Sequence, residues 1–179
     1  IKVIKQDKGR GTVILDNNVY LEKCSSLLST DQFTKLKEDP TKKTEGKIQR
    51  AIRKIKQCVP KEVYPNIYPT GSNPGKFYGT GKIHKLKPNQ NVTHLPLRPI
   101  ISNVKTSSYH LAKYLAKLLQ PLGKSQYTIS STQDFIRKWK HKTVPLGYSL
   151  VSFDVVSLFT NVPLDKTIDI ILRRIYDNK

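Results

Sequence analysis

The chain has 179 residues, of which 32 are lysine or arginine and 13 are aspartate or glutamate, so its formal net charge is +19 and its pI is about 10.0. That excess excludes an ordinary near-neutral enzyme surface and favours a phosphate backbone as the main partner. An anionic membrane would attract the same charge, but no apolar run approaches the roughly 18 residues of a spanning helix, so no membrane partner is expected.

The first predicted elements are two short strands, at residues 2–4 and 12–15. Between them lies Gln6-Asp7-Lys8-Gly9-Arg10-Gly11, whose glycines permit the positive φ of a tight turn. The segment is either a simple hairpin turn or a loop in which Lys8 and Arg10 contact nucleic-acid phosphates.

Helices are predicted next along the chain. Asn17 or Asn18 is expected to cap a helix that ends near Leu28, and Thr30 to cap another that stops before Pro40. The two cysteines, at positions 24 and 58, form no zinc pattern. We interpret them as reduced thiols at core positions of helices in an intracellular protein.

A third helix, from about Thr41 to Cys58, is the clearest amphipathic element. Its apolar stripe consists of Ile48, Ala51, Ile52, Ile55 and Val59. Its other faces carry Lys42, Lys43, Lys47, Arg50, Arg53, Lys54 and Lys56. Because the whole chain shares this positive bias, we interpret Lys47, Arg50 and Lys54 as contacts to template or product; the alternative is a solvated basic face.

A basic β-hairpin is predicted in the middle of the chain. Residues 76–84 form a strand interrupted by glycines, residues 97–103 form its return, and residues 87–96 connect the two. Such a hairpin is suited to an incoming triphosphate. Lys82 or Lys85 would supply a point charge, and Arg98, held by the stiff Pro99, would fork onto two phosphate oxygens.

Further helices are predicted from about residue 107 to residue 120 and from about residue 131 onward. In the second of these, Phe135, Ile136 and Trp139 are expected to face inward. We expect Trp139 to be a core residue rather than a base-stacking platform.

The segment Leu150 to Val156 alternates like a strand, with Val151, Phe153 and Val155 toward a core and Asp154 on the opposite face. Aspartate is disfavoured within strands unless another interaction compensates, and coordination of a divalent cation is the usual one. The alternative is an N-cap or turn aspartate. A last amphipathic helix is predicted over residues 164–176.

Four motifs follow one another along the chain. They are Asp7-Lys8-Gly9, the run from Lys76 to Lys85, the run from Leu95 to Ser102, and the run from Ser152 to Pro163. Together they resemble the motifs of Penelope-like reverse transcriptases, relatives of telomerase reverse transcriptase, over nearly the whole chain. The resemblance implies an α+β fold with reverse-transcriptase-like fingers, containing a basic β-hairpin and helices, followed by the first palm strand and a helix.

The resemblance also implies a division of the chain. Residues 1–75 would be an N-terminal extension and the helical part of the fingers, residues 76–147 the fingers with the hairpin and helices, and residues 148–179 the incomplete start of the palm. Reverse transcriptases need a second pair of carboxylates, and no Asp-Asp pair occurs in this sequence. We therefore expect RNA-directed DNA polymerase activity in a longer parent enzyme and none in the 179-residue segment.

By the same resemblance, Asp154 is the catalytic carboxylate and binds Mg²⁺ or Mn²⁺ together with the backbone carbonyl of Val155. Arg98 and Lys82 hold the dNTP, with Lys85 the alternative lysine, because Gly81 replaces the proline that relatives carry before the lysine. Phe159 excludes a ribose 2′-hydroxyl, unless it is an ordinary core aromatic.

The partners expected from the resemblance are an RNA template, a DNA primer, dNTP and the remaining palm and thumb, with an endonuclease domain as an optional addition. The expected location is the nucleus. Two other classes of function fit the charge: a non-catalytic RNA- or DNA-binding module and a structural protein with a basic surface. Asp154 beside Phe159 favours the enzyme, and the ordered motifs disfavour the structural protein.

Overall fold

The structure, a computed structural model, describes residues 1–155 and 158–177, without the side chains of residues 159 and 160. Its strands are β1 (Lys2–Lys5), β2 (Thr12–Leu15), β3 (Lys76–Gly81) and β4 (Leu97–Ser102). Its helices are α1 (Asn17–Leu28), α2 (Thr41–Lys54), α3 (Tyr64–Ile67), α4 (Tyr109–Leu119), α5 (Thr132–Trp139), α6 (Leu158–Asn161) and α7 (Leu164–Tyr176).

These elements make the fold α+β, as the sequence predicts: helices accompany two small antiparallel sheets. The chain divides into two compact units, residues 1–115 and residues 116–179. The expected functional division after residues 75 and 147 stays a prediction. Within the part of the chain that the structure describes, no helix combines the length and apolarity needed to cross a bilayer.

The first sheet is the hairpin of β1 and β2, in which Lys2 lies opposite Leu15 and Lys5 opposite Thr12. The turn is closed by the Gln6 N–H, which donates to the Gly11 carbonyl at 3.1 Å. Gly9 has a φ of +89°, a conformation that side chains with a Cβ rarely adopt. The expected tight turn is therefore confirmed.

The second sheet is the hairpin of β3 and β4, in which Lys76 lies opposite Ser102 and Gly81 opposite Leu97. This pairing confirms a strand and its return, but the strand predicted over residues 76–84 is too long, because β3 ends at Gly81. The connection contains short 3₁₀ turns at Ile83–Lys85 and Val92–His94. Antiparallel pairing fixes which side chains emerge at each end of the hairpin.

The two hairpins share one hydrophobic core. Gln6 forms a parallel bridge with Gly81, and the Asp7 N–H donates to the Gly81 carbonyl at 2.7 Å. The buried members of this core are Ile4, Val13 and Leu15 from the first hairpin, Tyr20 and Cys24 from α1, Leu95 just before β4, and Leu97 at its start. The core fixes the first turn of the chain beside the end of β3.

A second cluster supports α2. Ile52, Val59 and Ile67 are buried in it, and Ile52 has no exposed surface. Seven lysine and arginine side chains on α2 and the turn after it lie outside this cluster: Lys42, Lys43, Lys47, Arg50, Arg53, Lys54 and Lys56. The amphipathic division predicted for this segment is confirmed at Ile52 and Val59, whereas Ala51 and Ile55 are exposed.

The predicted helix over residues 41–58 is too long. It ends at Lys54, and a short 3₁₀ turn, Lys56–Cys58, follows. Val59 has an extended backbone, with φ −108° and ψ 134°, because the residue before a proline is pushed out of the helical region. Cys58 is consequently exposed rather than in the core, whereas Cys24 is buried as expected.

Two predictions about the region around α1 are wrong. Asp16 is the N-cap residue, and Asn17 already lies inside the helix. Residues 31–40 form no helix. The Thr30 hydroxyl donates back to the Leu27 carbonyl at 2.8 Å and so terminates α1, and Phe33 packs edge-on against Phe77 with ring centroids 6.0 Å apart. A tertiary contact here outweighs local helix propensity.

In the second unit, α5 and α7 lie close to where the sequence predicts them. The inward orientation predicted for α5 is wrong, because Phe135, Ile136 and Trp139 are 49%, 54% and 45% exposed. Phe135 and Trp139 instead stack on each other, with ring centroids 6.1 Å apart.

The strand predicted over residues 150–156 is absent from its described part, residues 150–155. Val151, Phe153 and Val155, which were expected to face a core, are 71%, 94% and 57% exposed. A strand needs a neighbour for its backbone N–H and C=O groups. No described strand lies in this unit, so the alternating pattern has nothing to pair with.

Candidate functional site

An ion pair in the first unit joins Arg98 to Asp7, residues 91 positions apart in the sequence. The Arg98 Nε–H donates to Asp7 Oδ1 at 2.5 Å. The Asp7 side chain is only 7% exposed, whereas that of Arg98 is 49% exposed. The pair therefore has a buried acidic end and a basic end open to solvent.

Backbone pairing explains why these distant residues meet. Asp7 is bound through its N–H to the carbonyl of Gly81, the last residue of β3. Arg98 lies in β4 opposite Thr80, one position along the same hairpin. The first turn of the chain and the β3–β4 hairpin thus converge on one place.

The electrostatics of Asp7 follow from its neighbours. The hydrogen bond from Arg98 lowers the pKa of Asp7 from its ordinary value of 3.8, burial opposes this shift, and the positive charges of Arg98, His84 and Lys82 lower the pKa further. Asp7 is therefore ionised at neutral pH. Its second oxygen, Oδ2, is buried and has no hydrogen-bond partner among the described residues.

The two candidate lysines differ in their placement. Lys82 is partly buried where β3 ends, and its backbone N–H donates to the Pro96 carbonyl at 2.9 Å. Lys85 is exposed at the end of the following 3₁₀ turn. Lys82 directly follows Gly81, whose carbonyl accepts from the Asp7 N–H, so the backbone of Lys82 lies beside the residue that binds Arg98.

This grouping defines what the site can bind. Arg98 uses its Nε–H for Asp7, which leaves the N–H groups of its terminal nitrogens for another acceptor. Planar guanidinium nitrogens match the spacing of phosphate oxygens, and an ammonium group such as that of Lys82 adds a point charge. The arrangement is suited to an anion that carries several oxygens.

The rest of the predicted nucleic-acid contacts also lie in the first unit. Lys8 and Arg10 belong to the turn that follows Asp7, and Arg10 is exposed there. Lys47, Arg50 and Lys54 belong to α2, outside its buried cluster. Their contact with nucleic acid stays a prediction.

A tyrosine that the sequence analysis did not single out stabilises β3. The Gly79 N–H donates to the Tyr20 hydroxyl at 2.9 Å, and Tyr20 is 7% exposed. Burial raises the pKa of Tyr20. A Cβ at Gly79 would lie 2.8 Å from Leu97 Cδ1, which explains the glycine opposite β4.

The predicted catalytic residues belong to the second unit. Asp154 is exposed on the unpaired segment, and Val155 beside it is 57% exposed. The backbone of Phe159 lies in α6, but its side chain lies outside the described residues. The predicted role of Phe159 therefore stays a prediction.

A magnesium site needs several hard oxygen ligands in one place. Within residues 1–155 and 158–177, no group of three or more histidine, cysteine, aspartate or glutamate side chains is arranged to hold a metal ion. Asp154 offers a single carboxylate in an exposed segment. The metal-binding role predicted for Asp154 and Val155 therefore stays a prediction.

Asp7 is the residue of this site that sequence reasoning missed. The charge of the turn pointed to Lys8 and Arg10, and Asp7 was expected only as part of a motif. A signal was present, because an acidic residue next to a strand in a strongly basic chain needs a cationic partner when it is buried. Its partner, however, is far away in sequence.

Comparison of the chain with protein-family models, with curated proteins and with solved structures found no match in any of the three. The fold class is given by the elements themselves, which form an α+β fold.

Proposed function

We propose that this chain is the fingers and the first part of the palm of a retroelement reverse transcriptase, and that its first unit binds phosphate groups of nucleic acid and of an incoming dNTP. One observation carries the proposal. Asp7, Lys82 and Arg98 belong to three separate motifs of the resemblance, and they converge at one end of the β3–β4 hairpin.

In this proposal, Arg98 forks onto oxygens of the triphosphate and Lys82 supplies a point charge beside it. The shared surroundings of these two side chains favour Lys82 over Lys85. Lys8, Arg10 and the basic face of α2 contact the backbone of the RNA template or the DNA primer. The net charge of +19 supports a polyanionic partner.

The chemistry belongs to a longer parent enzyme. There, Asp154 and the carbonyl of Val155 would be two of several metal ligands, and Phe159 would lie against the sugar of the incoming nucleotide. Mg²⁺ in such sites neutralises charge on the reacting phosphates. The 179-residue chain, with one candidate carboxylate, is proposed to bind without catalysing.

A second candidate is a non-catalytic module that binds RNA or DNA. The observation in its favour is that the phosphate-directed side chains lie in the unit of residues 1–115, whereas Asp154 lies on an unpaired, exposed segment of the other unit. Binding does not need Asp154. An activity measurement on the parent enzyme separates the two candidates.

The test uses Asp154→Asn and Arg98→Ala in the parent enzyme. For a reverse transcriptase, Asp154→Asn abolishes primer extension on an RNA template and leaves template binding nearly intact. Arg98→Ala raises the KM for dNTP and lowers kcat, because the triphosphate carries more charge in the transition state. A parent enzyme that extends primers at the wild-type rate with Asp154→Asn would remove the metal assignment.

A further inference from the structure

We propose that Asp7 is a positioning residue: it fixes the guanidinium of Arg98 through Nε, so that the terminal nitrogens are held ready for phosphate oxygens. The inference rests on the proposed function, because phosphate is the anion assigned to Arg98. If Asp7 has this role, the Arg98 side chain is ordered before a ligand binds, and that order is measurable without a ligand.

Asp7 is held firmly in place by its neighbours. Its N–H donates to the Gly81 carbonyl at 2.7 Å, and Gln6 before it bridges to the same residue. Gly9 closes the turn with its positive φ. With its side chain only 7% exposed, the carboxylate has little room to move.

The second step is that the bond uses the part of Arg98 that phosphate recognition does not need. The Nε–H donates to Asp7 Oδ1, and half of the arginine side chain stays exposed. The backbone of Arg98 is held by β4 pairing and by the stiff Pro99 that follows. An arginine ordered in advance loses less conformational entropy when a ligand binds.

The third step concerns charge. Asp7 carries a negative charge close to the proposed phosphate, which taken alone would weaken anion binding. The carboxylate is buried, however, and Arg98 and Lys82 together outweigh it. The two effects of Asp7 therefore have opposite signs, and this makes the inference testable.

If Asp7 acted only through its charge, removing that charge would tighten anion binding. If Asp7 positions Arg98, removing it weakens binding despite the gain in net positive charge. Asp7→Ala and Asp7→Asn separate these cases, because the amide oxygen of asparagine still accepts a hydrogen bond from Nε. Asp31→Asn is the matched control, since Asp31 is an exposed aspartate of the same unit.

The experiment measures binding of dATP and, separately, of a single-stranded RNA to the 179-residue chain at low salt. We expect Asp7→Ala to weaken dATP binding by roughly tenfold and Asp7→Asn by roughly threefold, because the arginine must then be ordered on binding. We expect Asp31→Asn to bind dATP as tightly as the wild type or slightly more tightly. A loss seen with RNA alone supports the positioning role but assigns the phosphate to the nucleic-acid backbone.

Two further measurements exclude a merely structural role. In the Arg98→Ala background, Asp7→Ala should cause no additional loss of affinity. In ¹⁵N spectra without ligand, the Arg98 Nε–H signal should exchange slowly with water in the wild type and rapidly in Asp7→Ala. An additional loss equal to that in the wild-type background would overturn the inference and show that Asp7 only stabilises the fold.

The failures are distinguishable. If Arg98→Ala weakens dATP binding but Asp7→Ala binds dATP as tightly as the wild type, the inference is wrong and the proposed function stands. If Arg98→Ala changes neither dATP nor RNA binding, the proposed phosphate site itself is wrong, and the inference falls with it.

Discussion

At the scale of single residues, the hydroxyl of Tyr20 matters because it satisfies a backbone N–H of β3 at Gly79. Tyr20 comes from α1, so the contact joins the helix to the hairpin that carries Arg98. A buried N–H without an acceptor destabilises the folded state and so lowers the free energy of unfolding.

Tyr20→Phe should therefore lower the free energy of unfolding by about 1–3 kcal/mol, because Gly79 loses its acceptor while the ring stays in place. Urea unfolding followed by circular dichroism measures the change. Tyr78→Phe is the control, since Tyr78 is 43% exposed. An equal loss in both variants would show that the hydroxyl of Tyr20 has no special role.

At the scale of elements, α5 has an N-terminal cap formed by side chains. The Ser131 hydroxyl accepts from the Asp134 N–H at 3.1 Å, and Asp134 Oδ2 accepts from the Ser130 N–H at 3.1 Å. Arg137 donates to Asp134 Oδ1 at 3.1 Å. The bond to Ser131 satisfies a backbone N–H that the first turn of a helix leaves free, and the other two hold the Asp134 carboxylate in place.

The backbone hydrogen bond from Ser130, followed by the contacts of Arg137 and Lys138, lowers the pKa of Asp134 from 3.8 to about 2. A depressed carboxylate pKa stabilises the folded state above the ordinary value, and this contribution is lost as the pH falls from 3.8 toward 2. We expect the destabilisation caused by Asp134→Asn to be constant above pH 3.8 and to vanish near pH 2.

Thermal unfolding of the wild type and the variant across this pH range measures that difference, and a ¹³C titration of the carboxyl group checks the pKa directly. The control is Asp31→Asn, because Asp31 is exposed. A difference that persists unchanged at pH 2 would contradict the assignment.

The basic face of α2 gives a second prediction for an element. Replacing Lys47, Arg50 and Lys54 by alanine should weaken RNA binding. It should also reduce the slope of log K against log salt by about 2 to 3, because a phosphate contact that is lost no longer releases counterions when RNA binds. The control replaces Lys35, Lys37 and Lys61, which lie outside α2. Equal slopes in the two variants would indicate attraction by net charge alone.

Sequence reasoning succeeded for elements whose signals are local. The alternation and glycines of β3, the return strand β4 and the apolar period of α7 all lie within short segments. It failed where distant residues decide the structure. Phe33 packs on Phe77 in place of a helix, and residues 150–155 have no described neighbour with which to pair.

The candidate site follows the same rule. Motifs and charge were enough to select Arg98 and Lys82 as candidates, because that choice needs only residue type and a hairpin. The Asp7–Arg98 contact was not predictable, since it depends on one hairpin packing beside another. Long-range pairing is the part of a fold that a single sequence specifies least directly.

At the scale of the whole molecule, the proposal predicts a binder without catalysis. The purified 179-residue chain should bind an RNA–DNA primer-template and should not extend the primer with dNTP and Mg²⁺, because it has one candidate metal-binding carboxylate. A gel assay for extended primer, with the parent enzyme as positive control, checks this. Extension by the chain itself would contradict it.

The shared core of the two hairpins has a practical consequence for shorter expression fragments. A fragment that begins at Lys76 keeps β3 and β4 but loses Ile4, Val13, Leu15 and Tyr20, against which Leu95 and Leu97 are buried. Its apolar surface would then be open to solvent, and an exposed apolar surface of this kind promotes association with other copies. Truncation at a motif boundary would thus yield aggregates, and the segment through Leu15 belongs in any fragment made for biochemistry.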